Sequence, residues 1–315
     1  MLRARLIATA AALAAAGACA GAALGSAVQY PLGRGTGGCP VFPESSPWHE
    51  NISGAPVSPL SSQYIASIGA GLDLHPDFGH ERAYGIPYAI VPADQPKVPI
   101  HFTAYGDQSD PGPYPIPRGA PVEGGQQASG DRHVLVLQKS TCMLYELWDA
   151  HPNPDGSWDA GSGAVFNLRS TKLRPNGWTS ADAAGLSIFA GLIRYDEIKR
   201  GYIDHAIRFT APETQAGFIH PATHFASSST NPDLPPMGLR LRLEASYPIA
   251  GFPRTDRIIL QAMKTYGLIL ADNGSPWFFQ GATDPRWNDS VLDALKGVPG
   301  SAFQVVETGP ILHTG

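Results

Sequence analysis

Residues 202–210, YIDHAIRFT, alternate without a break: Ile203, His205, Ile207 and Phe209 fall on one side of an extended chain, and Tyr202, Asp204, Ala206, Arg208 and Thr210 on the other. Such a segment predicts a strand whose apolar side must be covered by other structure. Its polar side carries Asp204 and Arg208 about two pleats apart, the way a sheet lines a polar groove. The surrounding stretch, GLIRYDEIKRGYIDHAIRFTAPETQAGFIHPATH over residues 191–224, holds three of the ten histidines and lies between Pro- and Gly-rich segments. It is the sequence's first candidate for a site.

A strand of this kind needs a β-rich context, and the rest of the chain supplies one. With 35 glycines and 30 prolines the sequence favours many turns over long helices. The expected fold is mainly β, a β-sandwich or jelly-roll-like core with a few short edge helices. At 43% apolar residues the chain can bury a core. The reading divides it into a signal peptide at 1–26, an N-terminal arm at 27–57 and a single β-rich domain at 58–315.

Arg3 and Arg5, then an apolar run too short to span a bilayer, then small residues around Ala18–Ala20 predict that the leader directs export and is cleaved. The protein is expected to be secreted or periplasmic. A lipoprotein is disfavoured, because Ala16 stands three before Cys19 where leucine is usual. Cleavage removes Cys19 and leaves Cys39 and Cys142, which are predicted to form a disulfide in an oxidising compartment. Loss of Arg3 and Arg5 also takes the formal charge from −5 to −7. An acidic chain argues against nucleic acid as a partner. No membrane span is expected, and a monomer is.

Along the chain, Ser58 and Pro59 are expected to open a short helix closed near Gly69 or Gly71. The 115–131 loop, PIPRGAPVEGGQQASGD, is long and polar enough to border a site. HVLVLQ and CMLYELWD read as a hairpin joined by a KST turn. Thr179 or Ser180 is expected to cap a helix with Asp182 in its first turn, and residues 196–200 form a helical turn stopped by Gly201. RLRLEASY predicts a strand with Arg240 and Arg242 outward. A helix follows from Thr255 with Ile259, Met263 and Tyr266 buried, then a strand at 268–271. The turn Asp272-Asn273-Gly274-Ser275 places an acid and an amide near Trp277. Asp289 is expected to cap the last helix, and residues 303–307 form the last strand.

No G-x-S-x-G elbow, H-E-x-x-H, P-loop or strand-linked G-x-G-x-x-G occurs, which disfavours serine esterases, zincins, NTPases and dinucleotide enzymes. His75, Asp77 and His80 fit no zinc spacing, and neither a metal nor any other cofactor is expected. Hydrolysis of a glycosidic bond needs two carboxyl groups across a groove, and elimination on a uronic acid needs a base, an acid and a cation for the carboxylate. Glu146, on one face with Leu144 and Trp148, has the apolar setting that raises a carboxyl pKa. An edge glutamate paired with a basic residue is the plainer alternative for Glu146, and a core histidine for His205.

The stretches LIRYDEIKRGYIDHAIRFT, HPATHFASSSTNPDLPPMGLRLRL and MKTYGLILADNGSPWFF resemble a family of exported bacterial proteins with a YDE…G-x-IDHA-[IL]-RF core. The resemblance covers roughly residues 38–309. It implies one continuous unit and carries no activity with it.

The function expected from these features is a secreted carbohydrate-active enzyme that cleaves a polysaccharide, as a glycoside hydrolase or as a lyase on a uronic-acid glycan. The candidates for catalysis are Asp204, His205 and Glu146, and those for substrate binding are Arg194, Arg208, Tyr202, His224, Asp272 and Trp277. The alternative is a non-catalytic cell-wall or glycan-binding envelope protein, in which the six tryptophans form a flat strip.

Overall fold

Short apolar runs bounded by Gly and Pro become short strands. The computed structural model describes residues 29–81 and 83–313, so the leader read at 1–26 lies outside the described residues. In chain order the strands are β1 (His75–Asp77), β2 (Tyr88–Val91), β3 (Ile100–Phe102), β4 (Val134–Gln138), β5 (Met143–Trp148), β6 (His151–Pro152) and β7 (Trp158–Ala160). They continue with β8 (Ser162–Asn167), β9 (Ile207–Ala211), β10 (Arg240–Leu243), β11 (Leu268–Asn273), β12 (Phe278–Gln280) and β13 (Phe303–Val306). The helices are α1 (Ser61–Ile68), α2 (Ile188–Gly191), α3 (Tyr195–Arg200), α4 (Arg254–Thr265) and α5 (Asp289–Leu292). The protein is mainly β, as its composition implies.

Among the described residues three sheets form: a six-stranded one ordered β1-β12-β9-β11-β10-β13, a four-stranded one ordered β2-β4-β5-β8, and a three-stranded one ordered β3-β7-β6. The ladders are mixed. β1 runs parallel to β12, β9 to β11 and β2 to β4, whereas β4, β5 and β8 are antiparallel. Parallel neighbours need crossover connections, and the chain between β9 and β11 includes α4, whose Ile259 and Met263 are buried as their helical spacing requires. The β4–β5 hairpin pairs Gln138 with Met143 across the four-residue Lys139–Cys142 turn, one residue longer than the KST read from sequence. At its tip Cys142 bonds Cys39, with Cα atoms 5.5 Å apart, and so ties the arm to the four-stranded sheet.

Several local expectations shift. The extended segment at 202–210 is a strand only from Ile207 onward, and all five residues of β9 are buried because both flanks and both faces are covered. α1 begins two residues after Pro59, since the Ser58 hydroxyl accepts the Leu60 N–H and holds a turn first. Residues 179–182 are no helix: the Thr179 and Ser180 hydroxyls both donate to the Asp182 carbonyl and close a turn. The helix start lies later, at Ser187, whose hydroxyl accepts the Ala190 N–H. Asn288, not Asp289, caps α5. Arg240 points inward, donating to the carbonyls of Pro47 and Tyr266.

Trp48, Trp158, Trp277 and Trp287 are buried, and Trp148 and Trp178 are half-buried. Among the described residues no helix is long and apolar enough to cross a membrane.

Candidate functional site

The alternating segment sends its polar side chains to two different cavities. Asp204 precedes β9 in irregular chain, and Arg208 sits within it. The first cavity, about 640 Å³, is lined by the arm and α3 and includes Asp204, His205, Arg194 and Glu197. α3 stops at Gly201, whose φ of 103° lies in the left-handed region that a side chain would strain. This stop turns the chain so that His205 packs back on the helix.

The charged groups at the floor of that cavity satisfy one another. Glu197 accepts from Arg194 Nη2 at 2.5 Å and from the Arg194 backbone N–H at 2.8 Å. His205 Nδ1 lies 2.7 Å from the Ala206 carbonyl, and its Nε2 is 3.1 Å from both Glu197 Oε1 and Arg194 Nη2. Burial would raise the Glu197 carboxyl, but Arg194 and His205 overcome it and hold the group down at about 2. An acid that strong is no proton donor near neutrality. Asp204 pairs at the surface with Arg200, 2.8 Å away.

The second cavity, about 260 Å³, opens where the six-stranded sheet meets the loop leading into β4. Asp77 ends β1 beside Gln280 of β12, and Arg208 rises from β9. β11 carries an irregularity between Leu270 and Asp272, which shifts its register so that Asp272 lies opposite Thr210. Glu123 and Asp131 come from the 115–131 loop, and His133 directly precedes β4. Gly191 lets α2 close on β9, because a Cβ there would sit 2.7 Å from that of Arg208.

This second cleft is strongly polarised. Arg208 is buried and donates to Asp182 from Nε at 3.1 Å and from Nη2 at 2.9 Å, with Nη1 on Gln280 at 2.8 Å. Burial alone would lower its pKa, but Asp182 reverses that and raises it. His133 is held at 2.6 Å by Glu123 through Nδ1 and at 3.0 Å by the Ala181 carbonyl through Nε2. Burial pulls its pKa down, and Glu123 outweighs that, raising it to about 9. Glu123 is lowered in turn, His133 overcoming the effect of burial. Burial raises Asp77, with Glu123 adding to it. Burial and then the nearby Asp182 lift Asp272 to about 7, although Arg208 and His133 act against this. Among the described residues, four carboxyl groups thus line a cleft whose one guanidinium is already bound to Asp182.

Of the nine residues nominated from sequence, Arg208 and Asp272 line this cleft, whereas Asp204, His205 and Arg194 line the other. Glu146 lines neither. It is fully buried on the inner strand β5, accepting from Ser187 Oγ and from the N–H groups of Ile188 and Phe189 at 2.9–3.0 Å, so it anchors the start of α2. Burial raises its pKa, as its apolar setting predicts, but it faces neither cavity, and its partners are a hydroxyl and backbone N–H groups rather than an edge lysine or arginine. Trp277 is a core side chain whose indole donates to the Gly69 carbonyl. His224 bonds the Ala183 carbonyl and stacks on Phe225. Tyr202 is 53% exposed under the Arg200 guanidinium, along a separate groove beside α4. Sequence reasoning singled out the 115–131 loop but named none of its side chains, although Glu123, Asp131 and His133 fall within eleven residues of one another.

No known protein family, curated protein or solved structure matches the chain.

Proposed function

We propose that the protein is an exported enzyme that hydrolyses a neutral glycan in the cleft between β1, β9, β11 and the 115–131 loop, with Asp272 as the proton donor. The observation that carries this reading is the Asp272 carboxyl, turned into the cleft by the β11 irregularity and half-buried beside Asp182. A carboxyl raised to about 7 holds its proton at the pH where a leaving alcohol must be protonated. Asp77, Glu123 and Asp131 offer acceptors for sugar hydroxyls and for an attacking water, and Thr210, Asn273 and Gln280 offer hydroxyl and amide groups.

The lining also selects among substrates. Carboxylates repel phosphate and uronate, and the charge of Arg208 is already offset by Asp182, with Gln280 taking a further N–H. This favours hydrolysis of a neutral sugar over elimination on a uronic acid. A glycan platform of tryptophans finds little support, since four of the six are buried. Export is supported by the leader sequence and by the Cys39–Cys142 disulfide, which persists in oxidising compartments.

The reading is tested by incubating the purified mature protein with neutral α- and β-linked polysaccharides and with polyuronates, following reducing ends and ultraviolet absorbance together. Reducing ends from a neutral glycan without absorbance are expected. Absorbance from a polyuronate would replace the hydrolase with a lyase.

A further inference from the structure

We propose that Glu123, Asp131 and His133 form a site for one divalent first-row transition ion, with zinc or manganese as the expected occupant. One ligand atom of each lies within 4.8 Å of the others. Atoms bound to a single ion at about 2.0–2.2 Å lie roughly 3–4 Å apart, so small rotations of the two carboxylates close the set.

His133 carries the feature that separates a ligand from a mere ion pair. It is buried, and its Nε2 faces the Ala181 carbonyl at 3.0 Å. A carbonyl and a carboxylate both only accept, so each ring nitrogen carries a proton in the metal-free chain; an ion would displace the one on Nδ1, the nitrogen turned toward Glu123 and Asp131, while Nε2 keeps its own on Ala181. Metal-bound imidazoles are oriented in this manner, donating their second N–H to a carbonyl or carboxylate.

Asp131 has no part in the Glu123–His133 bond. Among the described residues its carboxylate has one hydrogen bond, a long one, 3.3 Å from the Trp148 indole, and it stands exposed at the cleft mouth where an ion would enter. Charge points the same way: Glu123 and Asp131 together offset a divalent ion, while Arg208 is neutralised by Asp182. One imidazole among two carboxylates suits zinc or manganese better than calcium, which prefers six to eight oxygens. The inference deepens the cleft reading and rests on it only for the ion's use, which would be to activate water or polarise the scissile oxygen.

The test is calorimetric titration of zinc chloride, and separately of manganese and calcium chlorides, into mature protein freed of metal with EDTA and dialysed. One zinc or manganese ion per chain is expected, with calcium weaker. His133→Gln should abolish binding and Asp131→Asn should weaken it at least about tenfold. His80→Gln, which alters an exposed histidine paired with Asp289, should leave it unchanged. Since His133 is buried, its variant is checked for folding by circular dichroism, and the exposed Asp131 decides if it fails. Equal binding by wild type and Asp131→Asn, or none by wild type, would overturn the site. Zinc bound without glycan cleavage would keep the metal site and remove the glycan reading. Cleavage without any metal binding would do the reverse.

Discussion

Asp272 and Asp256 show how differently one residue type behaves. Asp272 borders solvent and lines the cleft, so its raised pKa is available to a substrate. Rate should therefore fall as pH rises through about 7, where the donor loses its proton. Asp256, in the first turn of α4, is buried with neither carboxylate oxygen bonded among the described residues, and burial raises it to about 7. Between its ordinary value and about 7 the unfolded chain gives up this proton while the folded one keeps it, so folding stability declines as pH rises across that window. Asp256→Asn should be more stable than wild type at pH 8 by about 1–3 kcal/mol and equal to it at pH 4, as read by denaturant unfolding at both pH values. A constant difference between the two would show that the carboxyl is satisfied in solution.

At the scale of elements, charges and a covalent link add to the apolar packing of α3 through Ile198 and of the arm through Trp48 and Ile52. Glu197→Gln leaves the buried Arg194 without its counter-ion and should cost about 3–5 kcal/mol at neutral pH. Because the Glu197 pKa is depressed to about 2, that stabilisation is present above its ordinary value and lost as pH falls through about 2. Thermal unfolding at pH 7 and pH 2 checks both parts. Replacing Cys39 and Cys142 by serine opens a link spanning 103 residues and should cost about 2–5 kcal/mol. The elements that could be read from sequence are those whose signal is local: the β4–β5 hairpin with its short turn, α4 with its stripe, and the Gly201 stop. The misreadings arise where tertiary partners decide. Ser180 serves a turn because the Asp182 carbonyl is within reach, and Arg240 turns inward because two loop carbonyls wait for it.

For the whole molecule, the same distinction explains what was legible of the site. Composition and turn spacing point to a mainly β chain, and the Cys39–Cys142 link follows from cysteine arithmetic. The mixed sheet order does not follow, since pairing β9 with β11 and β12 is decided by strands far apart in sequence. That pairing joins Arg208 to Asp272, brings Asp77 from a third strand and leaves His205 behind in the Glu197 cavity. Period-2 reading assigned Asp204 and Arg208 to one groove, and the late start of β9 separates them.

The proposed chemistry belongs to the Asp272 cleft and not to the larger cavity around His205. The direct measurement compares reducing-end release from the responding neutral glycan by wild type, Asp272→Asn and Asp204→Asn, each verified as folded by circular dichroism. Asp272→Asn should lower turnover by about 10²–10⁴-fold, and Asp204→Asn should leave it within a few-fold of wild type. Retained turnover in Asp272→Asn together with its loss in Asp204→Asn would place the reaction in the other cavity and contradict the account.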